Sequence, residues 1–185
     1  MRNRGFSTCR VDIEDDAGND LGSAQGAWEA EQLAADASFL AIEIDCSSWS
    51  TARRAPVWSS MPHRLRKKGR YLMGLPGLPP RDRAKLKGAN AQLRSVAKMI
   101  DISISCETNS GFLENPKSSL IWHYPLRRYR KRIVEGKLFI KECTMCGYGT
   151  RLMKPTRLLV WASCKQYQYA SLQGTTLLRV FETGT

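Results

Sequence analysis

Cys46 and Glu114 are the side chains in this chain with the means for covalent chemistry. A thiolate is a strong nucleophile, and a nearby carboxyl group can hand a proton to the electrophile under attack. Each closes a β-type run: "FLAIEI" leads into Asp45-Cys46, and "SGFLEN" ends on Glu114 and Asn115. Asn115 stands where an amide can orient the glutamate or touch a substrate. Beyond Cys46 the polar residues give way to Arg53 and Arg54, so the thiol is followed by cations that suit a phosphate backbone.

The elements that must position these residues can be read from periodicity. "STCRVDI" has the character of a short strand with Asp12 near its end, followed by the turn-rich "EDDAGNDLGS". Residues 24–37 are rich in helix formers, with Trp28, Leu33 and Ala34 expected on one face. "FLAIEI" at 39–44 is expected to be a central strand. Residues 47–81 are basic, contain five of the eight prolines, and read as one long loop or lid with a short helix in the middle. The clearest helix covers 82–104, where Leu86, Ala89, Leu93, Val96, Ile100 and Ile104 recur at three- and four-residue spacing behind Asp82 as N-cap. "SGFLENP", "LFIKEC" and "TRLLVWAS" are further strands, and "SSLIWHYPLRRYRKRIV" is expected to start helical, with Pro125 breaking or restarting it. Strands alternating with helices predict an α/β fold with a largely parallel sheet, whose ligands lie at the strands' carboxyl ends.

Length and charge bound the rest. A chain of 185 residues is read as one domain, 1–185. Its net charge of +12 is uneven: residues 1–45 carry −7 and residues 46–185 carry +19. A basic body of that size points to a polyanion, most simply nucleic acid. No apolar run has the length of a membrane span, and the basic start lacks the apolar core of a secretory signal. Six cysteines without a regular framework are expected to be free thiols in an intracellular compartment. "CTMC" at 143–146 is half of a zinc site, and no second pair completes it, so no metal is expected.

Taken together, four segments resemble the cytosine-5 DNA methyltransferases. "CSSWS" at 46–50 is similar to their nucleophile motif, and "LENP" at 113–116 is similar to their glutamate-asparagine motif. "GLPGLPPRDRAKLKGAN" at 74–90 and "CGYGTRLMKPTRLLVW" at 146–161 look like segments of the small phage- and mobile-element-type members. The resemblance runs from about Gly5 to about Ser163. It implies a Rossmann-like methyltransferase sheet with helices on both faces, and S-adenosylmethionine as methyl donor. Cys46 would attack carbon 6 of a cytosine flipped out of the duplex, Glu114 would protonate ring nitrogen 3, and Asn115 would support that contact. Asp12 matches the acid that holds the cofactor ribose, and Asp20 the residue beside its adenine. Ser50, Arg53, Arg54, Arg64, Arg66, Lys67 and Lys68 would meet the nucleic acid, DNA in the first place and RNA as a second option. Arg157 falls where the family often places a basic residue near the cytosine.

Two features depart from that family. Its glycine-rich turn should precede Val11 and is not found in residues 1–10, so an N-terminally truncated sheet is expected. Asp45 stands where the family has proline, and a carboxylate beside a thiol is expected to raise a cysteine pKa from about 8.5. The alternative function is a catalytically inactive relic that acts as a basic nucleic-acid-binding module. Either way the compartment expected is the nucleus in a eukaryote and the cytoplasm in a bacterium or phage.

Overall fold

The computed structural model describes Cys9 and residues 20–51, 64–106, 109–144 and 155–162. Helices and strands follow in the order α1 (Ala24–Asp36), β1 (Phe39–Glu43), α2 (Pro80–Ser105), β2 (Ser110–Pro116), α3 (His123–Arg128), α4 (Arg130–Val134), β3 (Phe139–Thr144) and β4 (Pro155–Trp161). Short 3-10 turns occupy Gly69–Tyr71 and Leu120–Trp122. Apart from Cys9, the strand expected at 7–13 lies outside the described residues.

The fold is mixed α/β, with four strands in the order β1-β2-β4-β3. β1 and β2 are parallel, and β4 runs antiparallel to both of its neighbours. Three strands therefore share a direction and β4 alone is reversed, which corrects the expectation of a largely parallel sheet. The reason is the link between β3 and β4. It spans only 145–154, fewer than the dozen or so residues that a parallel crossover needs. Among the described strands β1 stands at one end, and β2 and β4 form the centre. The burial pattern agrees. β1 alternates exposed and buried positions, whereas every residue of β2 is at least half-buried.

One face of the sheet carries Ile42, Leu113 and Leu159 in register, and they join the main core with Trp161, Leu93, Val96, Ile100 and Ile121. α2 fixes that face directly: the Trp161 indole donates to Ser103 Oγ at 2.8 Å, and Tyr129 donates to the Ala97 carbonyl at 3.0 Å. The described helices gather on this side rather than on both. The crossovers from β1 to β2 and from β2 to β3 step the same way across the sheet, and right-handed crossovers in one direction place their helices on one face.

α1 reaches the core through Gly26, Ala30 and Ala34, while Trp28 is 58% exposed and Leu33 is 38% exposed. The face expected from Trp28, Leu33 and Ala34 is thus corrected: the small residues let α1 lie close against α2. Ser95 Oγ ties the pair by donating to the Leu21 carbonyl at 2.8 Å. α2 starts two residues before the expected Asp82 cap. Pro80 occupies the first turn, where its missing N–H leaves nothing unpaired, and Asp82 faces the positive end of the helix dipole instead. Pro125 likewise sits in the first turn of α3 without breaking it. The break falls at Tyr129, whose ring is buried against α2.

Gly111 sets how closely these layers meet. A Cβ at this position would lie 2.3 Å from the Leu40 carbonyl oxygen and 2.6 Å from the Trp161 ring. Gly111→Ala is expected to lower stability by about 3 kcal/mol, because neither backbone nor indole can retreat. Urea denaturation monitored by circular dichroism reads this as a drop in midpoint at unchanged slope.

Candidate functional site

β1 and β2 end together. Glu43 pairs with Glu114 in the parallel ladder, and one residue further on Asn115 Nδ2 donates to the Ile44 carbonyl at 2.9 Å. Because side chains alternate along a strand, Glu114 and Asn115 leave β2 on opposite faces. Asn115 is buried and bonds across to the chain that leads into Cys46, while its Oδ1 accepts no hydrogen bond. Glu114 is 9% exposed and lies near Cys143 of β3 on the other face. Burial, and then the charge of Glu114, push the Cys143 thiol up from its ordinary value.

Cys46 opens a tight turn in which its carbonyl accepts from Trp49 N–H at 3.0 Å. The Asp45 carboxylate is turned into that same loop. It accepts from Ser47 N–H at 2.8 Å and from the Ser47 hydroxyl. The turn is then fastened to the segment after β2, since Leu120 N–H donates to the Trp49 carbonyl at 2.9 Å. Ser119 caps the 3-10 turn beside it by accepting from Ile121 N–H. The thiol-bearing loop and the strand end bearing Glu114 are therefore joined at two points, Asn115–Ile44 and Leu120–Trp49. Cys46 itself is half-buried and its thiol is free.

The third fastening is Arg66. It is 1% exposed, and its guanidinium lies 3.4 Å from the centre of the Trp49 ring. Nε donates to the Ser48 carbonyl at 3.2 Å and Nη2 to Ser48 Oγ at 3.3 Å; Nη1 donates to the Leu72 carbonyl at 2.9 Å and to Asn90 Oδ1 at 2.7 Å. Asn90 of α2 then donates to the Met73 carbonyl at 2.7 Å. Burial pushes the Arg66 pKa down to about 10. This corrects the sequence expectation for Arg66. Its donors point inward and are taken, so it meets no phosphate; it holds the Cys46 turn to α2.

Reversed β4 brings its amino end to the carboxyl ends of β2 and β3, with Arg157 opposite both Asn115 and Glu142. Arg157 donates to Glu142 Oε1 through Nε at 3.1 Å and Nη2 at 2.6 Å, and its guanidinium stands 5.8 Å from the Trp122 ring. Lys117 bonds the other oxygen of Glu142 at 2.5 Å. These two bonds, that of Lys117 first, hold the Glu142 carboxyl below the usual carboxylate range. His123 borders the same rim. Its pKa is lowered by burial, then by the charges of Lys68 and Arg157. The carboxyl edge of the sheet thus gathers Cys46, Glu114 and Asn115 with a cationic rim of Lys68, Lys117 and Arg157.

Of the other expected site residues, Lys67 is exposed, Arg64 is exposed and Ser50 is half-buried, both of the last engaged in contacts. Asp20 stands in the turn before α1, where its Oδ1 accepts from Gly22 N–H at 2.8 Å and its carbonyl from Ser23. Asp12, Arg53 and Arg54 lie outside the described residues. Glu142, Lys117 and Asn90 were not singled out by the sequence. Glu142 stands in a strand of alternating character, and only the pairing with β4 reveals its partner. Among the described residues no group of three or more His, Cys, Asp or Glu is placed to hold a metal, and no helix is long and apolar enough to cross a membrane. Compared with known proteins, the chain matches no family model, no curated protein and no solved structure.

Two outcomes follow from this geometry. Arg66→Met removes donors from four acceptors and is expected to lower stability by about 3 kcal/mol in urea denaturation. Arg66→Lys is not expected to rescue it, because one ammonium cannot span acceptors spread over Ser48, Leu72 and Asn90. For His123, the folded pKa lies below 6.5. Its contribution to stability is therefore full above pH 6.5 and is lost as the pH falls through the folded value. An NMR titration of the His123 ring should give a midpoint below 6.5, which Lys68→Ala moves upward.

Proposed function

We propose that this protein is a cytosine-5 DNA methyltransferase-like protein that attacks a flipped cytosine through Cys46. The observation that carries the reading is the in-register end of β1 and β2, where Glu43 faces Glu114 and Asn115 bonds Ile44. It brings the end of β2 that bears Glu114 beside the end of β1 that leads into Cys46, which supports the arrangement that the motifs "CSSWS" and "LENP" imply. In this mechanism the Cys46 thiolate adds to carbon 6 of the ring. Glu114 gives its proton to ring nitrogen 3, so that the electron pair released by the thiolate's addition collects at carbon 5. Asn115 ties the strand ends together, and Glu114 is buried at the end of β2, away from bulk water.

S-adenosylmethionine is the methyl donor that the resemblance implies, and it supplies an electrophilic methyl group to carbon 5. Asp20 is the described residue on the cofactor side. Its Oδ1 accepts from Gly22 N–H, which fixes the carboxylate in the turn before α1. After transfer, removal of the carbon 5 proton by a water molecule would expel the Cys46 thiolate, and return of the nitrogen 3 proton to Glu114 would restore the aromatic ring. The cationic rim of Lys68, Lys117 and Arg157 would face the phosphates that flank the extruded base. A second reading, a non-catalytic nucleic-acid-binding module, draws on the +19 charge of residues 46–185 and requires only that rim.

Duplex DNA containing 5-fluorocytosine distinguishes the two. Fluorine at carbon 5 blocks the final elimination, so the enzyme reading expects a denaturation-resistant protein–DNA adduct that maps to Cys46 and is lost in Cys46→Ala. Glu114→Gln is expected to slow adduct formation by about 10²- to 10⁴-fold at unchanged DNA affinity. Absence of any adduct with the methyl donor present sinks the enzyme reading and leaves the binding module.

A further inference from the structure

α2 carries a second basic feature, away from the strand ends. Arg83, Lys87, Asn90 and Arg94 follow one another at spacings of four, three and four, which places them along one face of the helix. With Met73, Gly74 and Leu75 they line an open groove of about 400 Å³. Its floor is apolar: Leu86 is buried with Leu65 and Leu78, and Leu75 packs against them. Its rim is cationic. Arg83, Lys87 and Arg94 are exposed, and no ion pair engages them among the described residues.

The far wall of the groove is fixed in place before any ligand arrives. Asn90 donates to the Met73 carbonyl, Arg66 to the Leu72 carbonyl, and Leu75 N–H to the Leu65 carbonyl at 2.9 Å. Gly74, at φ +144°, allows the wall to pass Leu86 where a Cβ would come within 2.8 Å of its methyl. A loop held this way loses little entropy on binding. Along the helix axis, Arg83 to Lys87 covers about 6 Å and Arg83 to Arg94 about 16 Å.

The groove also touches the site. Asn90 lines it and accepts from Arg66, whose other donors grip Ser48 two residues after Cys46. We propose that this groove seats the phosphate backbone of the DNA whose base is presented to Cys46, with Arg83, Lys87 and Arg94 each neutralising a phosphate. The proposal rests on the nucleic-acid part of the function above and assigns that contact to α2, not only to the loop after Cys46.

Fluorescence anisotropy with a labelled 20-base-pair duplex, titrated between 50 and 200 mM salt, tests it. No methyl donor and no 5-fluorocytosine are present, so an absent adduct at Cys46 leaves the result untouched. The Arg83→Gln/Lys87→Gln/Arg94→Gln protein should bind at least about 10-fold more weakly at 100 mM salt. The slope of log affinity against log salt should flatten by about 2.7, which is 0.9 for each of three phosphates. The charge-preserving Arg83→Lys/Lys87→Arg/Arg94→Lys protein should keep the wild-type slope, which a folding defect would not. An unchanged slope in the glutamine protein overturns the proposal. So does equal loss in the charge-preserving protein, or a wild-type protein that shows no salt-dependent duplex binding.

Discussion

A guanidinium buried with no carboxylate partner among the described residues organises this site. Arg66 reaches Ser48, Leu72 and Asn90 at once and lies flat against Trp49. Taking a cation out of water is costly unless its donors find acceptors, and here carbonyls, a hydroxyl, an amide and a ring face replace the lost hydration. Planarity matters as much as charge, since a fork of fixed donors can serve three directions while stacking on an indole. The consequence is geometric. The turn after β1, the Gly69–Tyr71 segment and the middle of α2 cannot move independently, although they are far apart in sequence.

The sheet supplies the complementary constraint. β1 and β2 deliver Cys46 and Glu114 to one edge because they are parallel and in register, and reversed β4 brings Arg157 to the same edge from the opposite direction. Ligands of open α/β sheets gather at such carboxyl ends. Here the described helices pack on one face, and the cations at that edge are Lys68, Lys117 and Arg157. Glu142 moderates this by holding Arg157 and Lys117 together, so the rim is an ordered set of cations and not a loose cloud of side chains.

Much of this was legible in the sequence where local chemistry decides. "SGFLENP" is the strand Ser110–Pro116 as read, and the apolar spacing of α2 predicted its buried face from Leu86 to Ile100. The failures came where tertiary contacts decide. Trp28 looks like a core residue but faces outward, because Ala30 and Ala34 let two helices approach more closely. Pro125 does mark a restart, in the first turn of α3 where a proline costs no hydrogen bond, whereas the interruption at buried Tyr129 has no local mark. Arg66 sits in the run "RLRKKGR" among exposed cations, and nothing local marks it as the inward one; its acceptors come from three separate segments. The reversal of β4 is equally silent, since strand direction leaves no mark on residue type.

Gly111 acts as a ruler for the whole arrangement. The Leu40 carbonyl and the Trp161 indole close over the space where a side chain would begin, and only glycine fits there. Sliding β1 along β2 by even one residue would press the Leu40 carbonyl against Ser110 or Phe112, which carry side chains, and displace the Cys46 turn by about 3.3 Å relative to Glu114. The relative placement of the Cys46 turn and Glu114 is thus measured out by the one residue in the ladder that has no side chain, three residues before Glu114.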